Sequence, residues 1–145
     1  MRHMPTITEV MTAFPVHVGE KASLVEARKL MAEHKCHHLP VMAEKQVVGL
    51  LSGEDIKLAQ SPGHDAAPSF EELTAGDLCR RRFAQVDLHT RLDIVLSGMA
   101  EEGLNAVIVM KHDKLAGILT THDACRFFAR WLKKEYLPDD DPGAA

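Results

Sequence analysis

The sequence predicts a mixed α/β (α+β) fold in which two similar halves pack with pseudo-twofold symmetry. A short motif, GLLSGED at residues 49–55, returns as GILTTHD at residues 117–123, an offset of 68 positions. Almost continuously apolar runs precede both copies, and amphipathic segments with helix-start signals surround them. A repeat at a fixed offset indicates two copies of one structural unit.

The composition is that of a globular protein with an aliphatic core. The 145 residues are 46% hydrophobic and 5% aromatic, which suits one domain or two small halves that share a core. The net charge of -4 gives no overall basic character that would attract nucleic acid or an anionic membrane.

Cysteine usage and the start of the chain indicate a cellular compartment. Cys36, Cys79 and Cys125 lie far apart without a Cys-x-x-Cys motif, so neither a disulfide framework nor a zinc finger is implied. Residues 1–5 lack the apolar stretch of a signal peptide, and no run reaches the roughly 18 apolar residues of a membrane span. We therefore expect a cytoplasmic protein with no membrane attachment.

Each half begins with the same local signals. Thr6 with Glu9, and Thr74 with Asp77, place an acid three residues after a threonine. This spacing predicts a short helix that starts with a capping box. Short extended segments follow at 16–18 and 84–86.

The main helix of each half has a hydroxyl start and one apolar face. Ser23 with Glu26 predicts the first start, and Thr90 with Asp93 predicts the second. The predicted apolar faces consist of Leu24, Ala27, Leu30 and Met31 in the first helix and Leu92, Val95, Leu96 and Met99 in the second.

Two strands and a closing helix complete each half. The predicted strands are 39–42 and 47–51, then 106–110 and 115–119, with turns near 44–45 and 112–113. The closing helices begin at Ser52 and Thr120. The sequence thus predicts two small three-stranded sheets, each with helices.

Four segments follow from this order of elements. They are a first domain over 4–60, a linker over 61–73, a second domain over 74–134 and an acidic, disordered tail over 135–145. The second closing helix, predicted over 121–136, carries Phe127, Phe128, Trp131 and Leu132. These side chains either complete the core or form a self-association face.

The ordered segments of the first half resemble a CBS domain, named after cystathionine β-synthase. The segments that carry the resemblance are Val10-Met11-Thr12 with Pro15-Val16, residues 23–27, His38-Leu39-Pro40-Val41, and residues 48–52 with Asp55. The second half resembles another CBS domain more loosely. Residues 4 to 134 therefore resemble a tandem CBS pair, also called a Bateman module.

The resemblance implies a regulatory module without catalytic activity. CBS pairs bind adenosine-containing ligands such as AMP, ADP, ATP, NAD or S-adenosylmethionine in clefts between the halves, and they dimerise. We expect AMP or ATP as the regulatory ligand, no required cofactor, a homodimer formed through helices, and an unidentified regulated protein. A structural dimerisation or protein-interaction module with vestigial clefts is the alternative.

The same resemblance supplies the candidate binding residues. The repeated aspartates, Asp55 and Asp123, would bind ribose hydroxyls, and Ser52 and Thr120 would approach phosphate or ribose. Both Ser/Thr-x-x-Asp pairs are also ordinary helix caps. The full set is Thr12, Phe14, Pro15, Val16, His37, His38, Leu39, Pro40, Ser52 and Asp55 in the first half and Phe83, Ala84, Asn105, Ala106, Val107, Thr120, His122 and Asp123 in the second.

Differences between the copies predict unequal clefts. Glu54 adds negative charge before Asp55, whereas His122 precedes Asp123, so the second motif is the better phosphate candidate. The adenine segment of the first half has Pro15, and the second half lacks this proline.

Other motifs favour no further function. Cys36 and the two histidines that follow it alternate across a predicted strand, which argues against a metal site. Residues 80–82 (RRR) are either solvated or bind phosphate or nucleic acid, and we expect nucleic-acid binding to be absent. No hydrolase, zinc-protease, P-loop or dinucleotide-binding motif occurs, so we expect no enzyme activity.

Overall fold

The computed structural model describes residues 3–61 and 68–137. The first half contains α1 (Ile7–Val10), β1 (Thr12–Ala13), β2 (Val18–Gly19), α2 (Leu24–His34), β3 (His38–Ala43), β4 (Gln46–Ser52) and α3 (Gly53–Ala59). The second half contains α4 (Ala75–Leu78), β5 (Gln85–Asp87), α5 (Leu92–Glu102), β6 (Ala106–Lys111), β7 (Lys114–Thr120) and α6 (Thr121–Tyr136).

The elements form two small sheets covered by helices, as the sequence predicts. In each half an antiparallel hairpin pairs with a short parallel strand: β2-β3-β4 in the first half and β5-β6-β7 in the second. A 3₁₀ turn, Phe70–Glu72, lies within the predicted linker and packs against α2. Of the predicted tail, residues 138–145 lie outside the described residues, and α6 continues to Tyr136.

Both predicted hairpin turns are confirmed, and both are two-residue turns. Glu44 and Lys45 have φ angles of 49° and 71°, and His112 and Asp113 have φ angles of 49° and 61°. Two consecutive positive φ angles define a type I′ turn, whose twist matches that of paired strands. The turns therefore fix the same register in both hairpins.

Helix starts follow the predicted pattern with one exception. The Ser23 hydroxyl accepts a hydrogen bond from the Glu26 amide at 3.1 Å, as predicted for α2. The prediction that Thr90 starts α5 is wrong, because Arg91 is the N-terminal capping residue and makes no side-chain capping bond. The Arg91 guanidinium instead binds the Asp93 carboxylate at 2.7 and 3.0 Å. The Asp93 carboxylate therefore pairs with Arg91 rather than forming a capping box.

The two halves exchange their first segments, which the sequence pattern does not predict. Strand β1 leaves its own half and pairs antiparallel with β7, giving the second sheet a fourth strand. The matching position of the second half, Arg80, forms a bridge with Leu50 of β4. Ile7 accordingly lies in the core of the second half, and Ala75 lies in the core of the first.

The glycine that opens each repeated motif makes room for the exchanged segment. A Cβ atom at Gly117 would lie 2.5 Å from Met11 Sδ and 2.9 Å from the Thr12 carbonyl oxygen. At Gly49 a Cβ atom would collide with the sulfur of Cys79. Glycine is therefore favoured at Gly117 by close approach of the β1 backbone and at Gly49 by the buried Cys79 side chain.

The aromatic side chains of α6 divide between the core and the surface. Phe127 packs against the second core, whereas Phe128 is 57% exposed and stacks on Trp131 at 5.9 Å between ring centroids. Leu132 is also exposed. Phe127 thus helps to complete the core of the second half. Phe128, Trp131 and Leu132 form an exposed apolar surface on the outer face of α6.

We expect Gly117→Ala to destabilise the protein because the added methyl group meets the backbone of β1. The free energy of unfolding should fall by about 1–3 kcal/mol, the usual cost of overpacking. Gly98→Ala is the matched control, since no atom lies within 4 Å of its added Cβ in helix α5. This control should be stabilising by about 0.5–1 kcal/mol in urea unfolding. Equal stability of Gly117→Ala and wild type would contradict the exchange of β1.

Candidate functional site

The segment exchange brings side chains of both halves together at two related places on the seam, where the family resemblance leads us to expect ligand clefts. We call them the Asp123 cleft and the Asp55 cleft after the aspartate of each repeated motif. In the Asp123 cleft, Thr12 from the first half meets Asp123 from the second. In the Asp55 cleft, Arg80 from the second half meets Asp55 from the first. Thr12 and Arg80 occupy the same position of the repeat, 68 residues apart.

The Asp123 carboxylate is buried and fully hydrogen-bonded. Asp123 is 7% exposed, and its Oδ2 accepts bonds from the Thr120 amide at 3.0 Å and the Thr120 hydroxyl at 2.9 Å. Its backbone amide donates to the Thr120 hydroxyl at 3.1 Å, which completes a capping box for α6. Its Oδ1 accepts the Thr12 hydroxyl at 3.1 Å. Asp123 therefore joins the halves as well as capping a helix.

The Asp55 carboxylate is held by an arginine fork instead. Arg80 donates from Nε at 3.1 Å and from Nη2 at 3.0 Å to the two carboxylate oxygens. The side chain of Asp55 is 12% exposed, whereas that of Arg80 is 73% exposed. These bonds hold the pKa of Asp55 below its usual range, and the carboxylate raises the pKa of Arg80.

The predicted adenine segment begins at the cleft of the opposite half. Phe14 donates its amide to the Ala116 carbonyl at 3.3 Å, which places it beside β7 and the Asp123 cleft. Its ring is 91% exposed, and its φ angle of 47° is unusual for a bulky residue. Pro15 is buried, and Val16 is partly buried and packs against the core of the first half. The strand exchange therefore places the start of this segment, Thr12 to Phe14, beside the repeated motif of the second half.

The matching segment of the second half lies at the seam with the first sheet. Phe83 packs against a small apolar cluster that contains Ile108 and Leu50 and therefore spans both halves. Ala84 is partly buried, and its carbonyl accepts the Ile108 amide at 2.9 Å. The arginine-rich segment thus begins beside Asp55, at Arg80, and the matching first-half segment begins beside Asp123, at Thr12.

The residues before β3 and β6 support the motifs through backbone bonds. The His37 carbonyl accepts the Gly53 amide at 2.8 Å, and the Asn105 carbonyl accepts the Thr121 amide at 3.0 Å. His38 is half-buried, and burial together with His37 lowers its pKa while the Asp55 charge acts in the opposite direction. The following residues are buried in the sheets: Leu39, Pro40, Ala106 and Val107.

The Asp55 cleft contains a positive charge as well as the acidic residues of its motif. Glu54 is exposed, as is His122 at the corresponding position of the other motif. The guanidinium of Arg80 faces Asp55, and Glu54 contributes to the raised pKa of Arg80. The exchange therefore places a cation beside the two acids, which sequence reasoning missed. The glycine opening each motif is the one sequence signal that pointed to a close neighbour.

An open cavity of about 380 Å³ lies between the end of α5 and the start of α6, and neither Asp55 nor Asp123 is among its lining residues. Asn105 is the one predicted binding residue in its lining. The lining residues are Leu96, Met99, Ala100, Gly103, Leu104, Asn105, Thr121, Ala124 and Cys125.

Neither a metal cluster nor a membrane-spanning helix is found in the described part of the chain. Across residues 3–61 and 68–137, no three His, Cys, Asp or Glu side chains converge as metal ligands would. The helices of the same residues are all too short or too polar to cross a membrane.

Comparison of the sequence with models of known protein families identifies the family of this chain. The model of the CBS domain matches residues 7–61 and again residues 75–130. The chain belongs to the CBS-domain family. Its two matched segments coincide with the two sheets and their helices, so the protein contains a tandem CBS pair.

Known CBS proteins resemble the chain over most of its length. Hypoxic response protein 1 of Mycobacterium tuberculosis is 31% identical over 124 residues, which is 85% of each chain. A crystal structure of Hypoxic Response Protein I with two coordinated zinc ions has a TM-score of 0.69 at 28% identity and covers 84% of this chain and 98% of that one.

Two solved structures with the same fold contain adenosine compounds. The CBS domain pair of protein MJ0100 in complex with 5-methylthioadenosine and S-adenosyl-L-methionine has a TM-score of 0.77 at 21% identity, covering 89% of this chain and 99% of that one. CBSX2 in complex with AMP has a TM-score of 0.72 at 23% identity, covering 87% and 97%. At these identities the likeness establishes the fold.

We expect Thr12→Val to destabilise the protein by removing a donor from the buried Asp123 carboxylate. The free energy of unfolding should fall by about 1–3 kcal/mol, the cost of an unsatisfied buried acceptor. Thr12→Ser keeps the hydroxyl and is the matched control, so its free energy of unfolding should fall much less. If the two variants unfold at the same urea concentration, the hydroxyl bond does not join the halves.

The Asp55–Arg80 pair should give a pH-dependent contribution to stability. A carboxyl whose pKa is lower in the folded state stabilises above its unfolded pKa, and this stabilisation is lost as pH falls through the folded pKa. Asp55→Asn should therefore lower the free energy of unfolding by less than about 1 kcal/mol at neutral pH, because the arginine is exposed. In strong acid the substitution should not change the free energy of unfolding. Urea unfolding over this pH range measures the difference. Asp113→Asn, in the exposed hairpin turn, controls for loss of a surface charge, and a deficit that persists in strong acid would refute the assignment.

Proposed function

We propose that the protein is a regulatory sensor that binds an adenosine-containing nucleotide, with AMP or ATP as the first candidates, in the clefts between its CBS domains. The observation that supports this most directly is the pair of seam clefts. Each sets an aspartate at a helix start against a segment from the other half. We infer that binding is the activity, without catalysis and without a required cofactor.

The chemistry of the clefts supports a nucleoside ligand. A carboxylate can accept two hydroxyl donors, which is what a ribose 2′,3′-diol offers. The complexes of similar CBS proteins with AMP, S-adenosylmethionine and methylthioadenosine add support for an adenosine compound.

The proposed contacts divide by cleft according to the strand exchange. The Asp123 cleft would use Thr12, Phe14, Pro15, Val16, Asn105, Ala106, Val107, Thr120, His122 and Asp123. The Asp55 cleft would use His37, His38, Leu39, Pro40, Ser52, Asp55, Phe83 and Ala84. Buried members of these sets would contribute backbone groups or shape rather than exposed side chains.

The mechanism we propose is a shift in the population of inter-domain arrangements. Asp123 and Asp55 each bond a residue of the other half, so they connect the CBS domains. A ribose that takes over these carboxylates replaces the connection with one made through the ligand. The ligand then favours the arrangement that it binds more tightly, and a regulated protein would respond to that arrangement.

The exposed face of α6 favours the second candidate function, a dimerisation or protein-interaction module with vestigial clefts. Phe128 and Trp131 stack on this face, and Tyr136 meets Trp131 edge-on at 6.3 Å between ring centroids. Aromatic side chains are enriched at interfaces, so we propose a homodimer formed through the helices. Such a dimer is compatible with nucleotide sensing, and light scattering of wild type and Trp131→Glu would test it.

We propose a cytoplasmic location, where adenine nucleotides are abundant, and no direct role in nucleic-acid binding. Two of the three consecutive arginines have partners within the protein. Arg80 binds Asp55, and Arg81 donates to the Gly76 carbonyl at 3.1 Å.

Calorimetric titration with AMP, ADP, ATP, NAD and S-adenosylmethionine tests the proposed function. At least one should bind, and Asp123→Asn should weaken binding about tenfold or more, because the substitution replaces one of the two acceptor oxygens with an NH₂ donor. Asp113→Asn is the matched control, since it makes the same change in an exposed hairpin turn. Amide NMR spectra would verify that both variants are folded. Absence of binding by all five compounds would favour the interaction module instead.

A further inference from the structure

Arg80 distinguishes the two clefts more sharply than any residue of the repeated motifs. Where Thr12 donates one hydroxyl bond to Asp123, Arg80 donates two charged bonds to Asp55. The next two positions continue the contrast, because residues 13–14 (AF) correspond to residues 81–82 (RR). One cleft thus has an uncharged crossing segment and the other has a cationic one.

The arginine fork engages both oxygens of the Asp55 carboxylate, so a ribose diol must compete with Arg80 for them. Parallel N–H bonds to both oxygens form the strongest and most directional carboxylate pairing in proteins. A ribose diol would need the same oxygens as acceptors. A ribose diol that binds both oxygens at the same edge therefore displaces Arg80, just as it displaces the Thr12 hydroxyl from Asp123.

The Arg80 side chain can leave Asp55, and an anion is the partner that would replace the lost pairing. The side chain is 73% exposed, so rotation out of the pair meets little packing resistance. A phosphate offers the planar guanidinium the same two-point geometry as the carboxylate it leaves. An uncharged nucleoside offers no such partner and leaves the cation to solvent.

We propose that Arg80 makes the Asp55 cleft selective for phosphate-bearing adenine ligands, whereas the Asp123 cleft accepts nucleoside and nucleotide with similar affinity. On binding at the Asp55 cleft, the guanidinium transfers from Asp55 to the ligand phosphate, and the ribose hydroxyls take its place on the carboxylate. This inference rests on the proposed function and adds a ligand class for each cleft. It also reverses the ranking that Glu54 suggests for phosphate.

Site-resolved NMR titration tests the selectivity. The amides of residues 52–55 report on one cleft and those of residues 120–123 on the other. In wild type, AMP should bind the Asp55 cleft at least tenfold more tightly than adenosine, and the two should differ by less than threefold at the Asp123 cleft. Arg80→Thr places a threonine at the position that corresponds to Thr12. In this variant the dissociation constants of AMP and adenosine, measured at residues 52–55, should differ by less than threefold.

A matched variant and a third probe separate the possible failures. Arg91→Thr removes an equally exposed arginine that pairs with Asp93 away from the clefts, and it should leave both ratios unchanged. If AMP binds but Arg80→Thr keeps the wild-type ratio at residues 52–55, the inference is overturned and the proposed function stands. If no adenine compound binds, the proposed function fails. In that case titration with pyrophosphate tests whether Arg80 binds an anion. A shift of the Arg80 Nε–Hε NMR signal supports anion binding by Arg80, and an unchanged signal overturns it.

Discussion

The close approach of one half's first segment to the other half's sheet is the constraint on which the structure depends. Gly117 lacks a side chain at the point where the backbone of Thr12 crosses β7, and Gly49 does the same for the second half. A larger residue at either position would push the crossing segment away. Without the crossing, each half would keep a small separate core, of a size that is marginal for a stable domain.

The clefts are a consequence of the same crossing. It brings residue 12 to one aspartate and residue 80 to the other, so each cleft contains parts of both CBS domains. The symmetry of the backbone is then broken by side-chain chemistry, because a threonine hydroxyl and an arginine fork place different demands on an incoming ligand. A module with one architecture can thereby respond to two ligand chemistries.

Local features were predictable from the sequence, and the exchange was not. The hairpins, the Ser23 helix start and the closing helices depend on neighbouring residues, which short-range patterns describe well. Thr90 failed as a start because Arg91 and Asp93 pair with each other, an outcome that spacing alone does not encode. The first crossing pairs residues more than 100 positions apart, and the second pairs Arg80 with Leu50, 30 positions away, so neither periodicity nor capping signals could reveal them. For the same reason the sequence does not show that Thr12 lies beside Asp123 or that Arg80 lies beside Asp55.

Intermolecular nuclear Overhauser effects between bound AMP and the protein test the central claim that a ligand lies across the seam. The account predicts that the ribose protons contact the methyl group of Thr12, from the first half, and that of Thr120, from the second, in one complex. Effects from AMP to residues of only one half would contradict the account. So would AMP binding confined to the α5–α6 cavity, reported by Ala100 and Ala124.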